Sequence, residues 1–190
     1  MLSQDEARNW IERWDRQQET NLADREERFT ALIDAVEIGV GRPDPLVLDL
    51  GCGPGSLAAR LLDRLPQATV IAIDVDPVLL ALGRACYGDR PGLRFVELDL
   101  AAPGWTGRLE LDRPVDAVVS TTALHWLDPA RLRAMYAEVA GVLRPGGLLL
   151  NGDHFQRDDT APTIVALERS LTRRAAQRRF GQEYRGGTEE

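Results

Sequence analysis

The segment from Val47 to Leu65 restricts the possible folds of this chain more than any other feature of its sequence. A short apolar run at 47–50, interrupted by Asp49, leads into a glycine-rich turn and then into an apolar helical pattern that starts at Leu57. The turn contains Gly51, Gly53 and Gly55. Glycines lack a Cβ atom, so the backbone of such a turn can approach a ligand closely, and the following helix points unbonded N–H groups to the same place. This arrangement is typical of a nucleoside-type cofactor site at the carboxyl edge of a parallel sheet.

From residue 46 onward, apolar strands alternate with amphipathic helices. Strands are predicted near 46–50, 69–74, 93–98, 115–120 and 146–151. Helices are predicted near 56–65, 77–87, 129–143 and 161–180, and the stretch 101–114 is predicted to be an irregular loop. This alternation indicates a parallel sheet covered on both faces, so the predicted fold class is a doubly wound α/β fold with a Rossmann-like sheet. Right-handed crossovers then place the loops that follow the strands at one edge of the sheet.

Two helices are predicted before the first strand. A capping-box spacing at Ser3–Glu6 begins one helix, which runs to about Gln17, and a second helix runs from about Leu22. Two alternatives remain for this N-terminal part of the chain. It either folds over the ligand site as a lid, with Trp14 as a candidate substrate contact, or it packs on the edge of the sheet.

The spelling of the glycine turn distinguishes two classes of cofactor site. Dinucleotide-binding sites favour G-x-G-x-x-G, and Ser56 stands where the third glycine would be. The sequence Asp49-Leu50-Gly51-Cys52-Gly53-Pro54-Gly55 instead resembles motif I of the class I S-adenosylmethionine (SAM)-dependent methyltransferases. The resemblance covers about 46–152. It continues in the strand that ends at Asp74, the strand that ends at Asp99, the strand and loop at 115–126, and the turn at 143–150.

This resemblance implies SAM as the cofactor and S-adenosylhomocysteine as its product. An acid in the place of Asp74 can accept both ribose hydroxyls of a bound nucleoside, and family members carry an acid like Asp99 near the adenine amino group. The cofactor-binding residues expected from the resemblance are Asp49, Gly51, Cys52, Gly53, Gly55, Asp74, Val75, Asp99, Leu100 and Ser120. Asp76 and Asp128 each precede a proline and are expected to cap helices, whereas Asp116 is expected to be structural.

The resemblance also divides the chain. We interpret residues 1–41 as an N-terminal helical cap and 42–190 as the SAM-binding core. The sheet of this family normally ends in an antiparallel pair of strands, but no strand pattern follows Arg179. We therefore expect that this pair is missing and that the sequence is truncated at its C-terminus.

The two histidines of the chain, His125 and His154, follow the fourth and fifth predicted strands. Each is a candidate catalytic base or polar anchor for the acceptor, and the alternative is a histidine that only makes hydrogen bonds within its loop. The segment 123–127 is similar to one found in small-molecule carboxyl methyltransferases of the trans-aconitate and juvenile-hormone-acid types. Trp126 and Trp105 are candidates for an apolar wall of the substrate site, and for Trp126 packing in the core is an equal alternative.

Composition argues against several other classes of function. The net charge of −7 argues against nucleic acid as a partner, and the lack of any lysine excludes Schiff-base chemistry and a Walker-type phosphate site. No apolar run is long enough to span a membrane and no signal peptide is recognised. Two cysteines suggest free thiols in a reducing cytoplasm, with Cys52 selected for its small size rather than as a nucleophile. No metal site is predicted.

The predicted function is SAM-dependent methyl transfer to a small-molecule acceptor, with a carboxylate or a hydroxyl as the group that is methylated. A neutral hydroxyl needs a base to remove its proton, whereas a carboxylate needs none. Two alternatives remain: a non-catalytic protein that binds SAM, and an NAD(P)-dependent oxidoreductase.

Overall fold

The computed structural model describes residues 2–153 together with Ser170 and Arg174, and these form one five-stranded sheet with helices on both faces. The strand order is β3-β2-β1-β4-β5, and every neighbouring pair is parallel. The strands are β1 (Leu46–Leu50), β2 (Thr69–Asp74), β3 (Leu93–Glu97), β4 (Val115–Ser120) and β5 (Leu143–Asn151). The helices are α1 (Gln4–Asn21), α2 (Arg25–Val40), α3 (Ser56–Arg64), α4 (Pro77–Tyr87) and α5 (Pro129–Val142). The predicted doubly wound α/β fold is therefore confirmed.

The core has two layers because successive residues of a strand face opposite sides of the sheet. In β1, Val47 packs in a cluster that contains Phe29 of α2 and Leu61 of α3. Its neighbour Leu48 packs on the other face, in a cluster that contains Met135 of α5. The sheet is thus covered on both sides, as the continuous apolar strands predict.

The element boundaries follow local sequence signals, with three differences. Helix α2 begins at Arg25 rather than near Leu22, because Leu22 is the C-cap residue of α1. The first four strands and α3 to α5 lie within one residue of their predicted positions. Helix α1 continues to Asn21, because the residues after Gln17 are ordinary helix formers without glycine or proline. Strand β5 begins at Leu143 rather than 146, because Leu143 already pairs with Val115 before an irregularity in the register.

The predicted capping roles are confirmed. Ser3 and Glu6 form a capping box at the start of α1. Asp76 accepts hydrogen bonds from two backbone N–H groups of α4, and Asp128 does the same for α5. Asp116 is buried inside the sheet, where it accepts hydrogen bonds from Leu46 N at 2.9 Å and from an arginine of β5 at 2.7 Å, so its role is structural.

The sequence pattern predicted an irregular loop over the whole stretch 101–114, but part of this stretch is helical. A 3₁₀ helix covers Trp105–Leu109, and the side chains of Trp105 and Leu109 are completely buried in the core. Trp105 therefore does not form a wall of a substrate site, and this interpretation is corrected. The apolar side chains at both ends of this short helix turn it toward the sheet.

The remaining predictions concern the C-terminal part of the chain. The predicted helix at 161–180 falls outside the described residues, apart from Ser170 and Arg174, which are helical. Among the described residues no helix has both the length and the apolar character that a membrane span requires.

Candidate active site

A cleft of about 460 Å³ opens at the carboxyl edge of the sheet, between the strand-end loops and the two N-terminal helices. Its volume is within the range of small-molecule sites. The polar and glycine residues that line it are Gln18, Arg25, Asp49, Gly51, Cys52, Gly53, Asp74, Asp76, Asp99, Thr121 and Thr122. The apolar residues that line it are Trp14, Phe29, Leu57, Val75, Leu79, Leu98, Leu100, Ala123, Leu124, Trp126 and Leu127.

The glycine turn forms the floor of the cleft. Gly51 and Gly53 both have positive φ angles, of 68° and 55°, which a residue with a side chain rarely adopts. The N–H groups of Gly51 and Cys52 donate to Ile73 O at 2.8 and 3.0 Å, which ties the turn to β2. A Cβ atom at Gly53 would have Leu79 and Trp14 as its nearest neighbours, at 3.8 and 4.0 Å, so it would make ordinary van der Waals contacts and its backbone conformation is what favours glycine.

Asp74, at the end of β2, holds the turn from the side. One carboxylate oxygen accepts a hydrogen bond from Gly53 N at 2.7 Å, and the other accepts from Asp76 N at 2.9 Å. Each oxygen keeps further acceptor capacity, because an ionised carboxylate offers about four lone-pair sites. Asp74 therefore shapes the turn and still presents acceptors to the cleft, where Asp99 from the loop after β3 adds another carboxylate.

Asp49, in β1, is a buried carboxyl group at the back of the cleft. Burial raises the pKa of Asp49 to about 7, and the nearby Asp74 adds to the rise, although a backbone hydrogen bond from Ala58, in the first turn of α3, and the positive charge of Arg25 oppose it. Its Oδ2 atom is buried and has no hydrogen-bond partner within the described part of the chain. A buried acceptor without a partner is costly, which makes Oδ2 a natural contact for a ligand with a positive charge or an N–H group.

This carboxyl group predicts a specific pH dependence of stability. The native protein keeps the proton of Asp49 up to about pH 7, whereas the unfolded chain loses it near the ordinary pKa of 3.8. The free energy of unfolding therefore falls as the pH rises through this window, by roughly 4 kcal/mol at most from this group. We expect Asp49→Asn to unfold at nearly the same urea concentration as the parent at pH 4 and at a higher one at pH 8. Parallel curves for the two proteins across this range would contradict the raised pKa.

Cys52 lines the cleft as a buried, protonated thiol. Burial raises its pKa well above 9.0, and the negative charges of Asp49 and Asp74 raise it further. A nucleophilic cysteine needs the opposite environment, one that stabilises the thiolate. The geometry therefore agrees with Cys52 as a small residue that packs within the turn.

The two N-terminal helices bring residues to the cleft that sequence patterns did not single out. Gln18 of α1 and Arg25 and Phe29 of α2 line it, together with the predicted Trp14. Arg25 sits in a strongly charged run at the start of α2, which by sequence alone is typical of an exposed face. A better signal was the apolar stripe of α2, since a helix packed on the sheet places its first turn near the strand ends.

The wall opposite these helices is formed by the segment after β4. Trp126 is 83% exposed and its ring lies at the mouth of the cleft, so it does not pack in the core. Thr122 has a φ angle of 53°, which is strained for a β-branched residue and is a feature that clusters at functional sites. This positive φ angle could not be predicted from the sequence, because threonine favours extended backbone.

His125 lies in the 3₁₀ helix Leu124–Trp126, beside Trp126, with ring centroids 5.1 Å apart. Its Nδ1 is 2.8 Å from Oδ1 of Asp153, and its backbone N donates to Oδ2 of the same carboxylate at 3.0 Å. A carboxylate only accepts, so Nδ1 carries the hydrogen when His125 is neutral and Nε2 is left as the basic nitrogen. His125 is not among the residues that line the cleft, but its neighbour Trp126 is. The second candidate, His154, lies outside the described residues.

Two of the residues expected to bind the cofactor lie away from the cleft. Ser120 is completely buried, and its hydroxyl donates to Leu50 O at 2.7 Å, so it bridges β4 and β1. Gly55 is the N-cap residue of α3, with a φ angle of 85°, and it faces the ring of Phe95. The other eight residues of this set line the cleft: Asp49, Gly51, Cys52, Gly53, Asp74, Val75, Asp99 and Leu100.

The residues of the cleft fit SAM, the cofactor implied by the sequence resemblance. The cofactor is a nucleoside that carries a sulfonium and an ammonium cation together with one carboxylate. The cleft offers acidic side chains for the cations and the nucleoside, a turn without side chains, and one basic residue, Arg25. The unpartnered Oδ2 of Asp49 and the unpartnered Nη1 of Arg25 match these opposite charges.

Comparison with known proteins gives the same assignment. Residues 47–147 match the family model described as a methyltransferase domain. The chain is 40% identical over 119 residues to a trans-aconitate 2-methyltransferase of Deinococcus radiodurans, an alignment that covers 60% of this chain and 41% of that protein. An O-methyltransferase family protein from Burkholderia thailandensis superposes with a TM-score of 0.59 at 25% identity, over 90% of this chain and 50% of that one. A SAM-dependent methyltransferase from Clostridium acetobutylicum shares the fold, with a TM-score of 0.56 at 18% identity, over 73% of this chain and 56% of that one.

The chain spans about half the length of the curated relatives that it matches. The matched family model covers more than half of the chain and includes the glycine turn, Asp74, Asp99 and the loop after β4. The chain belongs to the class I SAM-dependent methyltransferases.

Proposed function

We propose that this protein transfers the methyl group of SAM to a small carboxylic acid. The observation that carries the proposal is the cleft itself, in which a side-chain-free turn and the strand-end carboxylates Asp74 and Asp99 meet a wall of apolar side chains. The similarity to a trans-aconitate 2-methyltransferase supports an acid as the acceptor. We also propose residues 1–41 as a helical cap on a core formed by 42–190, since α1 and α2 both contribute to the cleft.

The cofactor supplies a methyl group that is already activated on a positively charged sulfur, so the protein has mainly to bind and orient the two reactants. Asp74 and the turn hold the nucleoside end in this proposal, and Trp126 provides an apolar surface at the mouth of the cleft. A carboxylate acceptor is already deprotonated and needs no base.

In this proposal His125 is a polar anchor at the edge of the acceptor site. Asp153 fixes the imidazole through Nδ1, and the side chain of this aspartate is 1% exposed, which makes the orientation firm. His125→Ala removes a hydrogen bond to a charged group, so we expect kcat/KM for the acid to fall about 10- to 100-fold. Calorimetry should show unchanged affinity for S-adenosylhomocysteine. Equal turnover by the variant would reduce His125 to a structural role.

Two measurements distinguish the proposal from its alternatives. The first is thermal stabilisation by S-adenosylhomocysteine compared with NAD and NADP, since a ligand that binds the native state raises the melting temperature. Stabilisation by the nicotinamide cofactors alone would overturn the assignment. The second is a screen of acceptors with a labelled methyl donor, in which trans-aconitate and related unsaturated acids are compared with hydroxylated compounds. Tight binding of S-adenosylhomocysteine without turnover of any acceptor would indicate a non-catalytic SAM-binding protein.

A further inference from the structure

Arg25 is an arginine in an unusual place, buried at the start of α2 and in contact with the cleft. Its residue exposure is 6%, and its guanidinium lies over the ring of Phe29 at 4.4 Å from the centroid. Its Nη2 forms an ion pair with Asp15 of α1 at 3.0 Å. The polar atoms of a buried arginine are normally all hydrogen-bonded, so each remaining nitrogen of Arg25 should also have a partner.

The Nη1 atom of Arg25 is buried and has no hydrogen-bond partner within the described residues. Its ion pair with Glu26 Oε1 is 3.7 Å long, which is beyond hydrogen-bond distance. Glu26 is also occupied, because Arg60 donates to its two oxygens at 3.0 and 2.9 Å. A charged donor left unsatisfied in this way is costly, and a ligand acceptor in the cleft would remove the cost.

The charges of the cleft point to a negative ligand group at this place. Three aspartates besides Asp49, which keeps its proton up to about pH 7, line the cleft: Asp74, Asp76 and Asp99. Among the described residues that line it, Arg25 alone carries a positive charge. The negative charges of the cleft repel an anionic group of a ligand, whereas Arg25 attracts it. The anionic group is therefore expected to bind beside Arg25.

Asp15 fixes the direction of Arg25 relative to the glycine turn. Its Oδ1, which binds Arg25, also accepts a hydrogen bond from Ser56 Oγ at 2.6 Å, and its Oδ2 binds Arg60 at 3.3 Å. Ser56 is the first residue of α3 and directly follows the turn. The position where a dinucleotide site would have its third glycine is used here to lock an N-terminal helix, and with it Arg25, to the floor of the cleft.

We propose that Arg25 is the carboxylate-binding residue of this cleft, donating from Nη1 to a carboxylate of a bound ligand. This inference rests on the proposed function, which supplies two sources of that group: the amino-acid end of the cofactor and the acid acceptor. The chemistry of recognition is the same in both cases, a charge-assisted hydrogen bond from a pre-oriented guanidinium. Asp15 acts as a positioning residue, because it holds Arg25 without reaching the ligand.

The experiment compares two ligands that differ by the carboxylate. S-adenosylhomocysteine carries the amino-acid end, whereas 5′-methylthioadenosine lacks it and keeps the nucleoside and the sulfur. Calorimetry with the parent and with Arg25→Gln measures both, and binding of 5′-methylthioadenosine verifies that the variant is folded. Binding of trans-aconitate to each protein saturated with S-adenosylhomocysteine forms the third titration.

If the cofactor is the source, Arg25→Gln loses about 10- to 100-fold in affinity for S-adenosylhomocysteine and keeps its affinity for 5′-methylthioadenosine. If the acceptor is the source, affinity for both adenosyl ligands is unchanged and affinity for trans-aconitate falls by a similar factor. Arg25→Lys keeps the charge beside Asp15 without Nη1 and should be intermediate. Arg64→Gln, the same change at a half-exposed arginine of α3 that does not line the cleft, is the control.

Unchanged affinity of Arg25→Gln for S-adenosylhomocysteine, together with unchanged or absent binding of trans-aconitate, would overturn this inference and leave the proposed function intact. A parent protein that binds neither adenosyl ligand would instead overturn the proposed function, and the carboxylate site with it. Equal losses for S-adenosylhomocysteine and 5′-methylthioadenosine would also overturn the inference, because they would show a general disturbance of the cleft.

Discussion

Gly51→Ala is expected to abolish cofactor binding and to destabilise the fold. The backbone of Gly51 has a φ angle of 68°, which costs an alanine about 1–2 kcal/mol. An added Cβ would also lie 2.2 Å from the Cβ of Ala123, in the wall of the cleft. The Cβ of Ala123 is attached directly to the backbone and cannot rotate away, so the turn or the loop after β4 must shift. We expect a lower free energy of unfolding by roughly 3 kcal/mol or more, and affinity for S-adenosylhomocysteine reduced at least about 100-fold.

Two further variants identify the cause of the effect. Gly51→Ala combined with Ala123→Gly relieves the contact but not the strained φ angle, so it should recover part of the stability and part of the affinity. Gly141→Ala, in α5, adds the same methyl group where no atom lies within 4 Å, and it should be neutral or stabilising by about 0.5–1 kcal/mol. Urea unfolding and calorimetry with S-adenosylhomocysteine measure all three. Full affinity in Gly51→Ala would show that the turn does not contact the cofactor.

Asp74→Ala should weaken cofactor binding by about 1–3 kcal/mol, or about 5- to 150-fold. The variant loses the two hydrogen bonds, from Gly53 N and Asp76 N, that shape the turn, and in the proposed site it also loses the acceptors for the ribose hydroxyls. Asp74→Asn keeps one oxygen acceptor and should lose less. The expected signature is a large loss of affinity with a smaller loss of stability, because both hydrogen bonds of Asp74 lie at the edge of the sheet.

Asp128→Ala is the matched control for this substitution. Asp128 likewise accepts hydrogen bonds from backbone N–H groups, at the start of α5, but it does not line the cleft. Loss of this cap should cost about 1 kcal/mol of stability and leave affinity for S-adenosylhomocysteine unchanged. If Asp74→Ala behaves like Asp128→Ala in calorimetry, Asp74 is a structural cap and not part of the cofactor site.

The floor of the cleft could be predicted from the sequence because its residues lie within or directly after single strands, where local sequence patterns apply. Parallel strands end at the same edge, so the residue that follows each apolar run is brought to the others by topology alone. Asp74 and Asp99 meet at the cleft for this reason, and Asp49 reaches it from within β1. Ser120 also ends a strand, but its hydroxyl donates its hydrogen bond to Leu50 O in the neighbouring strand. The sequence pattern of one strand does not reveal a hydrogen bond between two strands.

The walls of the cleft depend on tertiary packing, which sequence patterns describe less well. Arg25 lies among charged neighbours and would be assigned to solvent, yet Asp15 and the ring of Phe29 cover it. Trp105 and Trp126 have opposite fates, one completely buried and the other 83% exposed, although both were candidates for the same wall. Apolar character alone does not separate the two, because the direction of each side chain is set by the short helix that carries it.

The pairing of β1 with β4 has a consequence for how the cleft comes into being. Leu48 lies beside Val118, so the two central strands join parts of the chain separated by 70 residues, and the loop after β4 can reach the glycine turn only after they meet. Pairings this distant along a chain form late and slowly. A nascent chain that ends before about Leu127 therefore lacks the wall of the cleft that follows β4. An adenosyl ligand therefore raises the free energy of unfolding of the complete protein by mass action, and it does not stabilise the shorter nascent chain.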